Sequence, residues 1–94
     1  MKRDMNLIRR LLLTIESKNQ VIEKIIEDSD DIDGVKGAVL LFHIRLLIDA
    51  GFINGRILDT LCGGSVVTIS RLTYQGCDFL DSIRDDTIWE KFKV

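Results

Sequence analysis

His43 is the single histidine of the chain, and Cys62 and Cys77 are its two cysteines. These side chains are the first place to look for nucleophilic, acid–base or metal chemistry. A metal site joining all three needs ligand pairs at short spacing, and the two cysteines stand alone, fifteen residues apart. They read as free thiols, and no neighbouring cation in sequence marks Cys62 as a reactive one. His43 projects among apolar neighbours, which reads as a hydrogen-bonded core or boundary residue rather than a general base. Asp78, Asp81, Asp85 and Asp86 are spaced to share one helix face. Paired carboxylate catalysis needs a pocket around such groups, and a solvated face is the simpler reading. Gly63-Gly64-Ser65 lacks the downstream Gly-Lys-Ser/Thr of a phosphate-binding loop and leads into a strand-like run, so it reads as the tip of a hairpin. The expectation is therefore a protein that is not an enzyme and carries no metal and no cofactor.

The bounds agree with this. A chain of 94 residues with 46% hydrophobic residues is expected to form one domain over residues 1–94, around one core. No apolar run approaches the roughly 18 residues that a membrane helix needs. The opening MKRDMNLIRR is basic and amphipathic, without the features of a secretion signal, so a cytoplasmic location is expected. The net charge is −2, unevenly spread. Lys2, Arg3, Arg9, Arg10 and Lys18 make the first eighteen residues basic. Glu23, Glu27, Asp28, Asp30, Asp31 and Asp33 make the next stretch acidic. A nucleic-acid binder usually shows a basic stripe, and an acidic run repels phosphate.

The elements that must position these groups follow from periodicity. Met5, Ile8, Leu11, Leu12 and Ile15 recur at helical spacing and predict a helix over Arg3 to Ser17, with Asn6, Arg9, Arg10 and Thr14 on its other side and Leu13 half exposed. Gln20 to Glu27 fits a helix by spacing and a strand by its β-branched content; the strand reading is favoured because the later sheet needs an edge partner. SDDIDG, Ser29 to Gly34, predicts a turn with Asp33 as cap of a second helix from Val35 to Ala50. Val39, Leu40, Leu46, Leu47 and Ala50 project together with His43; Arg45 and Asp49 lie opposite, with Ala38 and Phe42 beside them. Gly51 is the expected left-handed stop. Phe52 to Leu58 and Ser65 to Leu72 predict a hairpin around the loop Asp59 to Gly64. Thr73 is expected to cap a third helix from Tyr74 to Arg84, with Phe79, Leu80 and Ile83 inward and Gly76 allowing close packing. Thr87-Ile88-Trp89-Glu90 has a capping-box pattern and predicts a short last turn, with Trp89 and Phe92 folding back.

The order of helix, strand, helix ending in Leu47-Ile48-Asp49-Ala50-Gly51-Phe52-Ile53, hairpin, Leu72-Thr73-x-x-Gly76 and helix resembles a winged helix. Met1-Lys2-Arg3-Asp4-Met5, His43-Ile44, Leu46 to Gly51, Arg71-Leu72-Thr73 with Gly76, Asp78-Phe79-Leu80-Asp81 and Arg84-Asp85-Asp86-Thr87-Ile88-Trp89 together resemble the small bacterial and phage family called domain of unknown function 2513, related to YjcQ-like proteins. The resemblance covers nearly the whole chain. It implies an α+β, winged-helix-like fold of about three helices and a small antiparallel sheet with a β-hairpin wing, often of prophage origin, and no assigned activity.

Two roles compete. A fold of this kind favours a DNA-binding regulator, with Arg9, Arg10, Lys36, Arg45, Arg56 and Arg71 as the contacting cations. The residue chemistry favours a protein-interaction module or homodimer, with Ala38, Leu41, Phe42 and Arg45 as a partly exposed apolar strip. The second helix is mostly Leu and Ile, whereas reading base edges takes Arg, Asn, Gln or Ser on the exposed face. On the fold prior the DNA reading stands first.

Overall fold

A computed structural model describes residues 2–18, 20–61 and 63–83. The first helix, α1, spans Met5–Ser17. Asp4 caps it, its carboxylate accepting from the backbone N–H groups of Asn6 and Leu7 at 2.9 and 3.3 Å. The strand reading of the ambiguous segment holds: Ile22–Glu27 forms β1.

The acidic turn differs from expectation. Asp31–Ile32 (β2) and Val35–Lys36 (β3) pair as a miniature hairpin. Asp33 and Gly34 make its turn, both with positive φ, the backbone that a two-residue hairpin loop demands. Asp33 is thus a turn residue and not a helix cap. The second helix, α2, starts later, at Gly37, and ends at Asp49; Lys36 precedes it without a side-chain cap. Its first amides are taken by backbone instead. Gly37 N–H donates to the Asp30 carbonyl at 2.7 Å, and Ala38 N–H to that of Asp28 at 3.2 Å. The approach is so close that a Cβ on Gly37 would lie 1.8 Å from the Glu27 carbonyl oxygen. The far end of α2 closes as predicted. Gly51 takes φ +76°, its N–H donates to the Ile48 carbonyl, and Phe52 N–H donates to that of Leu47, the paired bonds of a Schellman motif.

Ile53–Asp59 (β4) and Gly64–Leu72 (β5) form the hairpin. β5 is central in a three-stranded antiparallel sheet, between β1 and β4. An irregularity between Asn54 and Gly55 marks the base of β4. Thr73 caps the third helix, α3 (Tyr74–Ile83), its hydroxyl oxygen accepting from Gly76 N–H at 3.0 Å. That hydroxyl also donates to the Gly51 carbonyl, so one side chain joins the end of α2 to the start of α3. The predicted Thr87–Glu90 turn, Trp89 and Phe92 lie outside the described residues.

Alternation along β5 sorts the sheet into two faces. Ser65, Val67 and Ile69 point to the buried side, while Val66 and Thr68 are only half-buried and Ser70 is exposed. Ile8, Leu12 and Ile15 of α1, Leu40, Leu41, Ile44 and Leu47 of α2, and Leu80 and Ile83 of α3 pack with Ile26, Ile53, Val67, Ile69 and Leu72 in one core. Among the described residues, the α+β architecture with three helices and a small antiparallel sheet agrees with expectation.

Candidate interaction site

The sequence-predicted chemistry sorts by place. His43 is fully buried and has a partner on each ring nitrogen: Nδ1 donates to the Val39 carbonyl at 2.8 Å, and Nε2 accepts from the Asp4 backbone N–H at 2.8 Å. A backbone N–H at Nε2 requires that nitrogen to be the acceptor, so the proton sits on Nδ1. With both nitrogens engaged, the ring is a structural clamp between α2 and the start of α1. Cys77 is exposed and free; Cys62 lies outside the described residues. Asp78 and Asp81 are exposed on α3, and Asp85 and Asp86 lie outside the described residues. No group of three or more His, Cys, Asp or Glu side chains is gathered into a metal-binding arrangement among the described residues. No helix among them is long and apolar enough to cross a membrane.

The six cations expected to meet DNA are dispersed. Arg9 is half-buried, its Nε donating to the Ile83 carbonyl at the end of α3, 3.0 Å away. Arg10 is exposed on α1, in a hollow with Lys18 and Lys24. Lys36 stands at the start of α2 beside the acidic turn. Arg56 and Arg71 are exposed on the hairpin; Arg56 pairs across the ladder with Thr68, and Arg71 with Asn54, its own side chain donating to the Leu72 carbonyl at 3.1 Å. Arg45 is tied to Asp59 on β4 by an ion pair of 3.1 Å.

The four residues expected at a protein interface are brought together, with one correction. Ala38, Leu41, Phe42 and Arg45 line one side of a cleft of about 520 Å³ whose other side is Asp59, Thr60, Gly63, Gly64 and Ser65 at the end of the hairpin. Leu41, however, is 6% exposed and belongs to the core. Buried among the core residues and lining the cleft, it forms the floor and not part of a partly exposed strip. Ala38 and Phe42 are half-buried above it, Phe42 meeting His43 edge to face with ring centres 5.3 Å apart. The hairpin side is held by a small network. Asp59 Oδ1 accepts from Arg45 Nη2 and from Ser65 Oγ at 2.8 Å, and Thr60 Oγ1 donates to the Gly64 carbonyl at 2.7 Å. Two carboxylates, Asp28 and Asp59, against one guanidinium, Arg45, leave the rim net acidic. An apolar floor with an acidic rim suits an apolar side chain flanked by cations better than a phosphate.

A second hollow, of about 510 Å³, was not foreseen. Arg3, Met5, Ile8, Leu46, Ala50 and Phe79 are among its lining residues, with the Phe52 ring stacked on Phe79 at 4.6 Å. Its walls come from three helices far apart in sequence, so no local pattern could announce it.

The chain belongs to the family described as "Hypothetical protein (DUF2513)", whose model matches residues 2–94. An uncharacterized protein of Haemophilus influenzae (strain ATCC 51907 / DSM 11121 / KW20 / Rd) is 34% identical over 94 residues, covering 100% of this chain and 77% of that protein. No solved structure matches.

Proposed function

We propose that this protein is a non-enzymatic protein-interaction module of the bacterial or prophage cytoplasm, which receives a partner segment in the cleft between α2 and the hairpin. One observation carries the reading: Ala38, Leu41, Phe42 and Arg45 meet Asp59, Thr60 and Gly64 around a single apolar-floored, acid-rimmed cleft. The fitting ligand is a peptide segment presenting one aliphatic or aromatic side chain next to Lys or Arg. Peptide-display selection against the whole chain tests this. Enrichment of apolar–basic peptides, lost on Phe42→Glu and weakened on Asp59→Lys, is the expected result; selection indifferent to both substitutions overturns it.

The second reading, a DNA-binding regulator, draws its support from the winged-helix-like order of elements and from Arg56 and Arg71 exposed on the hairpin. It ranks lower because Arg45 and Arg9 already hold protein partners and because Asp28, Asp30, Asp31 and Asp33 cluster at the start of α2, where phosphates would pass. Titration of mixed-sequence duplex DNA at low and moderate salt decides between the two. Binding that weakens steeply with salt favours DNA; its absence leaves the protein reading.

A further inference from the structure

The outer face of the three-stranded sheet carries a row of apolar side chains in the open. Ile25 on β1 pairs with Val66 on β5, and Val66 pairs with Leu58 on β4, so the three sit side by side across the sheet. Ile25 is 66% and Leu58 55% exposed. Folded domains rarely leave adjoining large apolar side chains on one sheet face without a covering partner. The next outward-facing row is Glu23, Thr68 and Arg56, again in register, with a negative end on β1 and a positive end on β4.

We propose that this face binds a second copy of the chain, sheet against sheet, about a two-fold axis parallel to the strands. Such an axis exchanges the two edges and keeps the rows level. Val66 then meets Val66 of the second copy, Ile25 meets Leu58, and Glu23 meets Arg56, twice by symmetry. The charges choose this axis over the other one in the plane. An axis across the strands that stacks the apolar rows places Glu23 over Glu27 of the second copy, like charge on like charge. The twist of each sheet turns the two sets of strands about 30° apart, which long Glu and Arg side chains span. The face is that of a three-stranded sheet and is small, so the dimer is weak and depends on concentration. This inference does not rest on the α2–hairpin cleft, which lies elsewhere on the molecule.

Sedimentation equilibrium of the full chain, from about 10 µM to about 1 mM, the range in which a small interface associates, reads the assembly. The expected result is an average mass rising toward twice that of the monomer, with Leu58→Glu holding it at the monomer. Glu23→Arg alone and Arg56→Glu alone each weaken dimerisation at least tenfold, and the double exchange restores it. The three substituted side chains, Glu23, Arg56 and Leu58, are on the outer face, and circular dichroism melts establish that each variant is folded. A wild-type monomer at the highest concentration overturns the proposal. So does a dimer that the double exchange fails to restore, since its contact is then a different one. A monomeric wild type that loses thermal stability on Leu58→Glu would mean that the chain covers this face itself, which overturns it equally.

Discussion

The backbone N–H of Asp4 donates to Nε2 of His43, 39 residues away in sequence and 2.8 Å away in space. Asp4 is also the cap of α1, so the same residue starts one helix with its side chain and pins it to another through its backbone. Replacing His43 by Ala leaves the Asp4 N–H without its acceptor and opens a void at a fully buried position. The expected loss is about 3–4 kcal/mol, combining one unsatisfied donor with cavity formation. Urea unfolding followed by circular dichroism measures it; a loss under about 1 kcal/mol, the size of one ordinary hydrogen bond, would show that the clamp matters little.

Two glycines mark backbone crossings. A Cβ on Gly37 would meet the Glu27 carbonyl oxygen at 1.8 Å, and one on Gly76 would meet that of Phe52 at 1.9 Å. In both cases the obstacle is backbone, which cannot swing aside as a side chain can. Gly37→Ala and Gly76→Ala are each expected to destabilise by about 2–4 kcal/mol despite the better helix propensity of alanine. Paired melting curves against wild type give the answer, and an unchanged midpoint for either variant contradicts the crossing at that site.

The ion pair of Arg45 and Asp59 is exposed, with side chains 48% and 75% accessible. Solvent screening makes such a pair worth little, so Arg45→Ala should shift stability by less than about 1 kcal/mol. Its effect belongs to the cleft, where Asp59 also holds Ser65. Peptides selected on the wild type are expected to bind Arg45→Ala several-fold differently while the denaturation midpoint stays within error.

The two faces of the sheet are separable by truncation. Val67→Ala, on the inward face at 2% exposure, is expected to cost about 1–3 kcal/mol, whereas Leu58→Ala on the outward face should cost under about 0.5 kcal/mol in the monomer. Dilute-solution unfolding compares them, and equal losses would contradict the assignment of the faces.

Much of this arrangement was legible in the residue pattern because its signals are local. Gly51 after an apolar helix, Thr73 before α3 and the alternation of Ser65 to Leu72 each act within a few residues. The start of α2 was not legible in the same way. Asp33 has the composition of a helix cap, but the Asp31–Lys36 pairing claims it for a turn, and that pairing depends on where α2 packs. Leu41 failed for a related reason: a helix wheel ranks sides by hydrophobicity, and α2 is apolar nearly all round, so only the position of the sheet decides which side is covered. The cleft was half visible. Its helix side came from spacing, but its hairpin side needed Arg45 and Asp59 to be brought together across fourteen residues.

The helix α2 is fastened at both ends, by the carbonyls of Asp28 and Asp30 at one and by the Gly51–Thr73 junction at the other. Neither fastening uses the side chains of Ala38, Phe42 or Arg45. Those positions are therefore free to vary while the frame stays put, as a lock keeps its case when its pins are recut. On the proposed reading of the cleft as a partner site, divergence within the family retargets it by substitution there alone, and relatives that share this scaffold need not share a partner.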